Sequence, residues 1–249
     1  MPNDASDVQS VAGNRHFATT QWSVVLAAGD ASGQDARDAL ARLCEAYWYP
    51  LYAYVRRRVG DAHEAQDLTQ AFFAHLFEKH TIARADRSRG RFRAFLLTAL
   101  KHFLANERDK ARSLKRGGGR VEVSLDFDAG ESRYRIEPAD KLTAELLYER
   151  RWILTLLDHV LERLRRELLA AGKGDQFEQL KGALTGEATA EQYERAAEAL
   201  GISAAAAKQA AYRMRKRYRE LFRAEVARTV EDEAAVDDEI GRLLETLNG

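Results

Sequence analysis

Cysteine occurs once in this 249-residue chain, proline three times and methionine twice. The lone thiol, Cys44, excludes a disulfide framework and a cysteine zinc cluster, and it fits a reducing compartment, so a cytoplasmic location is expected. No apolar run approaches the roughly 20 residues of a membrane span, and the opening MPNDASDVQS lacks a basic-then-apolar signal pattern, so no membrane partner is expected. A net charge of one sign is also missing, since 39 basic side chains balance 39 acidic ones. The marks of catalysis are absent as well. His16, His63, His75, His80, His102 and His159 form no HxxxH pair or other helical metal spacing, and the glycines at 117–119 lack the Lys-Ser or Lys-Thr of a phosphate-binding loop. Neither an enzyme nor a resident metal or cofactor is expected.

What is present favours helix almost everywhere. Hydrophobic residues make up 45% of the chain, enough for folded cores, and Ala, Leu, Glu and Arg dominate the composition. The prediction is an all-α protein. Leu40, Leu43, Cys44, Tyr47, Leu51, Tyr54 and Val55 recur at helical spacing over 37–59, with a kink or break expected at Pro50. Asp61 can cap a second helix, with Glu64 three residues on giving a start like a capping box. A third helix is predicted over 91–112, with Phe92, Phe95, Leu96, Leu100 and Phe103 inward. The next stretch, KRGGGRVEVSLDFDAGESRYRIEPAD, reads as a linker with a short extended segment at Val121, Val123 and Leu125. Helices are predicted again over 142–170, 176–184, 190–200 and 203–222.

Neutrality hides an uneven distribution. Residues 84–120 hold 12 Lys or Arg against three acids, and 208–219 hold six against none. The end of the chain reverses this, with seven acids and only Arg242 over 230–249. Two basic blocks far apart suggest a polyanion gripped at two places. The second block lies in YERAAEALGISAAAAKQAAYRMRKRYRELF, which reads as a helix-turn-helix. Ala197 is small where two helices would cross, Gly201 suits the turn, Ile202 is an apolar plug, and Ser203 caps a second helix bearing Lys208, Gln209, Tyr212, Arg213, Lys216 and Arg217. The small side chains at 204–207 leave that helix free to come close to a groove.

At this point a family resemblance enters. GDAHEAQDLTQAFFAHLF resembles region 2.2 of the bacterial extracytoplasmic-function sigma factors, FRAFLLTALKHFLANERDKAR their regions 2.3 and 2.4, and the helix-turn-helix stretch their region 4.2. FATTQWSVVLAAG, AYWYPLYAYVRRR, LKHFLANERDKAR, EVARTV and VDDEIGRLL resemble more narrowly the subgroup linked to Ser/Thr protein kinases. The resemblance implies two small helical domains on a flexible linker: domain 2 over 17–113, the linker over 114–140, domain 4 over 141–226, and an acidic tail over 227–249. It implies an alternative sigma factor that binds core RNA polymerase and directs promoter-specific initiation. The alternative is a helix-turn-helix regulator that acts without polymerase.

The resemblance also assigns residues. Arg87, Arg89, Arg91, Arg93, Lys101, His102, Asn106 and Arg108 are expected at the minus-ten element, where stacking and cations trap unpaired bases. Ser203, Lys208, Gln209, Tyr212, Arg213, Arg215, Lys216 and Arg217 are expected at the minus-thirty-five element, the last three on phosphates. Glu64, Gln66, Asp67, Gln70, Ala71 and Glu78 are expected on a basic coiled coil of the polymerase's largest subunit. Gln66 and Ala71 stand where the family commonly has glutamate, so that face is short of negative charge. Thr69 falls beside Leu68, Phe72, Phe73 and Leu76 on the apolar stripe, where it reads as a stand-in for valine. Phosphorylation there by a Ser/Thr kinase would supply about −1.5 to −2 charges. For the tail, the expectation is either a solubilising end or a segment that folds back on the basic recognition helix.

Overall fold

Helix is the only regular secondary structure among the described residues of this computed structural model, which are 34–78, 82, 85, 91–112, 125–136, 142–184, 186, 188–230 and 232–248. The order is α1 (Gln34–Val59), α2 (Ala62–Glu78), α3 (Phe92–Arg112), α4 (Phe127–Ile136), α5 (Ala144–Ala170), α6 (Gly174–Leu180), α7 (Ala190–Leu200), α8 (Ala204–Ala227) and α9 (Val236–Asn248). Single 3-10 turns at Lys181–Ala183 and Glu233–Ala235 follow α6 and precede α9. No described helix is long and apolar enough to cross a membrane.

The α1 helix runs through Pro50 without a break. Proline removes one backbone donor, but packing around it outweighs that loss: Tyr47, Leu51, Tyr52, Tyr54 and Val55 are at most 1% exposed. The amide of Glu64 donates to Asp61 Oδ1 at 2.8 Å and starts α2 as expected. Thr143 caps α5 by accepting from the Leu146 amide, and Thr189 and Gln192 form a reciprocal capping box at α7.

Two expectations change here. The stretch taken as linker contains α4, which docks on α1. Tyr52 donates to Glu131 Oε2 at 2.6 Å, the Arg56 guanidinium donates to both oxygens of the same carboxylate at 3.1 and 3.2 Å, and Phe127 packs edge-on to Trp48. Gly130 is needed for this approach, because a Cβ there would sit 2.8 Å from the Trp48 ring. The alternating positions Val121 and Val123 lie outside the described residues, and Leu125 stands just before α4.

The two halves also share one core. Buried residues from Ala39 to Leu243 form a single contiguous cluster, in which α1 packs against α5 and α5 against α8. The physical reason is that α1 is aromatic on more than one face. One face meets α2 and α3, where Tyr47 packs edge-on to Phe92, and the region around Tyr49 takes the guanidiniums of Arg133 and Arg151 over its ring. Tyr148 of α5 seals the junction by donating to the Arg93 carbonyl at 2.9 Å. The acidic end is likewise a helix and not a frayed tail: α9 buries Val236, Glu239 and Leu243 against α5 and α8.

Candidate nucleic-acid interface

The residues expected at the minus-ten element separate into three groups. Arg87 and Arg89 lie outside the described residues. Lys101, His102, Asn106 and Arg108 lie along the exposed side of α3, with Lys101 paired to Glu145 at 2.9 Å. Arg93 is buried and Arg91 half-buried. Arg93 is 4% exposed, with Nε 2.8 Å from Glu149, Nη2 2.6 Å from Glu239 and its guanidinium 4.4 Å from the Trp152 ring centre. Arg91 reaches the other oxygen of Glu239 at 2.5 Å.

The two arginines respond differently to this setting. Burial opposes the charge of both. For Arg93 the carboxylates of Glu149 and Glu239 outweigh burial and hold the guanidinium above its ordinary value. For Arg91, burial and the neighbouring Arg93 outweigh Glu239 and pull it below. The aromatic residues of this block turn inward: Phe92 is 1% exposed and Phe103 packs on Phe72.

The stretch read as a helix-turn-helix folds as two helices, α7 and α8, joined by a tight turn. Gly201 adopts the left-handed conformation at φ 63°, and the Ile202 amide donates back to the Ala197 carbonyl at 3.0 Å, the return bond that closes a helix C-terminus. Ala197 is buried at the crossing, as expected. Ile202 is not a plug. It is 39% exposed, because the glycine turn directs it to solvent while Ala207, Ala210, Ala211 and Met214 seal α8 to the core. The Ser203 hydroxyl caps α8 by accepting from the Ala206 amide.

Along α8, Lys208, Gln209, Tyr212, Arg213 and Lys216 form one exposed face, with Tyr212 61% exposed. Arg215 and Arg217 do not share it. Arg215 donates to the Tyr193 hydroxyl at 3.3 Å. Arg217 makes a two-pronged pair with Glu167 of α5, at 2.8 and 3.0 Å, and also reaches Glu220. In this form it ties α8 to α5.

On α2, Glu64 and Asp67 are exposed and Gln66, Gln70 and Ala71 are half-buried on the outward side; the side chain of Glu78 lies outside the described residues. Thr69 faces the core. It is 0% exposed, and its hydroxyl donates to the Ala65 carbonyl at 2.7 Å. Among the described residues no group of His, Cys, Asp and Glu could hold a metal ion. Burial pushes the Cys44 thiol up to about 12, which keeps it protonated and unreactive.

Sequence reasoning missed Glu131 and Glu239, the two carboxylates that gather arginines from other elements. The signal for Glu239 was present, since Val236, Ile240, Leu243 and Leu247 recur at helical spacing and mark an amphipathic helix with an apolar side to bury. For Glu131 the signal was masked, because the glycines at 117–119 and Pro138 frame the stretch as a linker and Phe127, Tyr134 and Ile136 are too few to make a long apolar stripe.

No curated protein and no solved structure matches the chain. Residues 43–113, which take in α1 from Leu43 onward, α2 and α3, match the family model described as Sigma-70 region 2.

Proposed function

We propose that the chain is an alternative sigma factor of the extracytoplasmic-function type. It binds core RNA polymerase through the outward side of α2 and directs promoter-specific initiation. The observation that carries this reading is the region 2 match over 43–113, since that domain is the part of a sigma factor that meets polymerase and the minus-ten element. The helix-turn-helix adds the second grip: the exposed face of Lys208, Gln209, Tyr212, Arg213 and Lys216 is shaped and charged for a major groove at the minus-thirty-five element. Reconstitution with core polymerase tests the reading. A stable holoenzyme giving promoter-specific transcripts is the expected result. Binding to duplex DNA with no affinity for core polymerase would instead identify a regulator that works alone.

Control by a Ser/Thr kinase at Thr69 is a further layer of this proposal. The short supply of acids on α2 supports it, because a phosphate would add the negative charge suited to a basic coiled coil. The burial of the hydroxyl makes modification conditional on α2 lifting from the core, and a phosphorylated side chain could not return to that apolar site. The expected outcome is that Thr69→Ala fails to support transcription in cells under inducing conditions. Transcription equal to that of the unmutated chain would remove the kinase from the scheme.

A further inference from the structure

The first turn of α3 contains no acidic residue, although a helix N-terminus favours negative charge; Arg91 precedes it and Arg93 lies within it. Two guanidiniums at the positive end of a helix form a site that demands an anion. The anion present is Glu239. Its two carboxylate oxygens divide between Arg91 at 2.5 Å and Arg93 at 2.6 Å, the arrangement in which two arginines grip a pair of phosphate oxygens. Arg93 Nη1, buried with the rest of its side chain, finds no hydrogen-bond partner, and neither does Glu239 Oε2, which meets Arg91 as an ion pair only, so the carboxylate does not satisfy the site in full. Arg91 keeps 29% of its side chain exposed, which leaves a way in from solvent.

The element that delivers Glu239 is suited to release. The 13-residue α9 follows a single 3-10 turn, and its buried anchors are Val236, Glu239 and Leu243, with an ion pair from Arg223 to Asp237 at the surface. A buried ion pair is also a weaker source of stability than apolar packing of the same volume, so the cluster is better suited to exchange than to holding a core together.

We propose that Arg91 and Arg93 form a phosphodiester site for single-stranded nucleic acid, and that Glu239 occupies it in the free chain as an internal stand-in for the phosphate. Helix α9 is then a latch that withholds part of the minus-ten surface until nucleic acid or polymerase displaces it. This rests on the reading of α3 as a nucleic-acid surface.

The test uses the full chain and a short fluorescent single-stranded deoxyoligonucleotide pool of randomised sequence. Glu239→Gln removes the competing charge while keeping the side-chain shape, and Leu243→Ala loosens α9 without touching any charge. Both should bind the pool more tightly than the parent, on the order of tenfold, as expected when the competent form is a minor population. Because coupling is reciprocal, saturating the unmutated chain with the pool should also speed hydrogen exchange at the amides of α9. That measurement holds even if a variant fails to fold. Parent and variants binding the pool equally, with exchange in α9 unchanged, would overturn the latch. No binding of the pool by the parent or by either folded variant would overturn it from the other side, by showing that α3 is not a nucleic-acid surface.

Discussion

Glu131 shows how much one side chain can organise. Burial alone would raise its carboxyl, but hydrogen bonds from Arg56, Tyr52 and Arg135 outweigh this and bring it down to about 2, from an ordinary value of 4.5. A carboxyl depressed by folding contributes stability that is fully present above its unfolded value and is lost as pH falls through the folded one. Thermal melts should therefore show the Glu131 contribution disappearing between about pH 4.5 and about pH 2, and Glu131→Gln should flatten the curve in that window. At neutral pH the same substitution should lower stability by about 1–3 kcal/mol, because the buried Tyr52 hydroxyl and Arg56 lose a charged acceptor. Thr69 is a second test at this scale. Its hydroxyl serves only the carbonyl one turn back, so Thr69→Val should change stability by less than about 1 kcal/mol. Thr69→Glu should lower it by more than about 2 kcal/mol, since it places a charge in an apolar site. Urea denaturation distinguishes the two, and a Thr69→Glu chain as stable as the parent would show that α2 opens at little cost.

At the scale of an element, α8 presents basic residues with two different tasks. Lys208, Arg213 and Lys216 lie on its exposed face. Lys216→Ala should weaken duplex binding and reduce the slope of log affinity against log salt by about 1, the effect of one lost phosphate contact, whereas Lys208→Ala and Arg213→Ala, at base edges, should each cost about 1–3 kcal/mol and relax sequence preference. Arg217 holds Glu167 across α5 and α8, and its hydrogen bonds to that carboxylate raise it above the ordinary arginine value while lowering Glu167. Arg217→Ala should leave the salt slope unchanged. The turn before α8 has its own requirement. Gly201→Ala meets no neighbour within 4 Å, so its effect is purely conformational and should lower the midpoint of thermal unfolding by the equivalent of about 1–2 kcal/mol.

For the whole molecule, two grips on a freely moving linker would predict independent halves. The contiguous core through α1, α5 and α8 predicts otherwise. Calorimetry of the free chain should give a single cooperative transition, and two separated transitions would show that the packing of α5 on α1 contributes little. This shared core also bears on promoter binding. Effective concentration can link a minus-ten and a minus-thirty-five contact only when both surfaces are presented together, and in the closed form Arg91 and Arg93 are taken by Glu239.

Most helices were legible in the sequence because each carries its own signal: an apolar stripe at helical period, a capping residue such as Asp61, Thr189 or Ser203, or a glycine such as Gly201 at the end. The exposed basic face of α8 was legible for the same reason, since i, i+4 spacing fixes which side chains share a side. Periodicity does not say what a face packs against. It left the continuity of α1 through Pro50 undecided, because proline's local penalty is set against burial by α2 and α5, which lie elsewhere in the chain. The family resemblance assigned Arg91 and Arg93 to the minus-ten element, and nothing in the local sequence shows that Glu239, 146 residues beyond Arg93, pairs with them in the folded chain. Local sequence determined the helices, their caps and the charge each displays. Which charges remain free for a partner was decided only by tertiary structure, because pairing between distant side chains depends on the packing that brings them together.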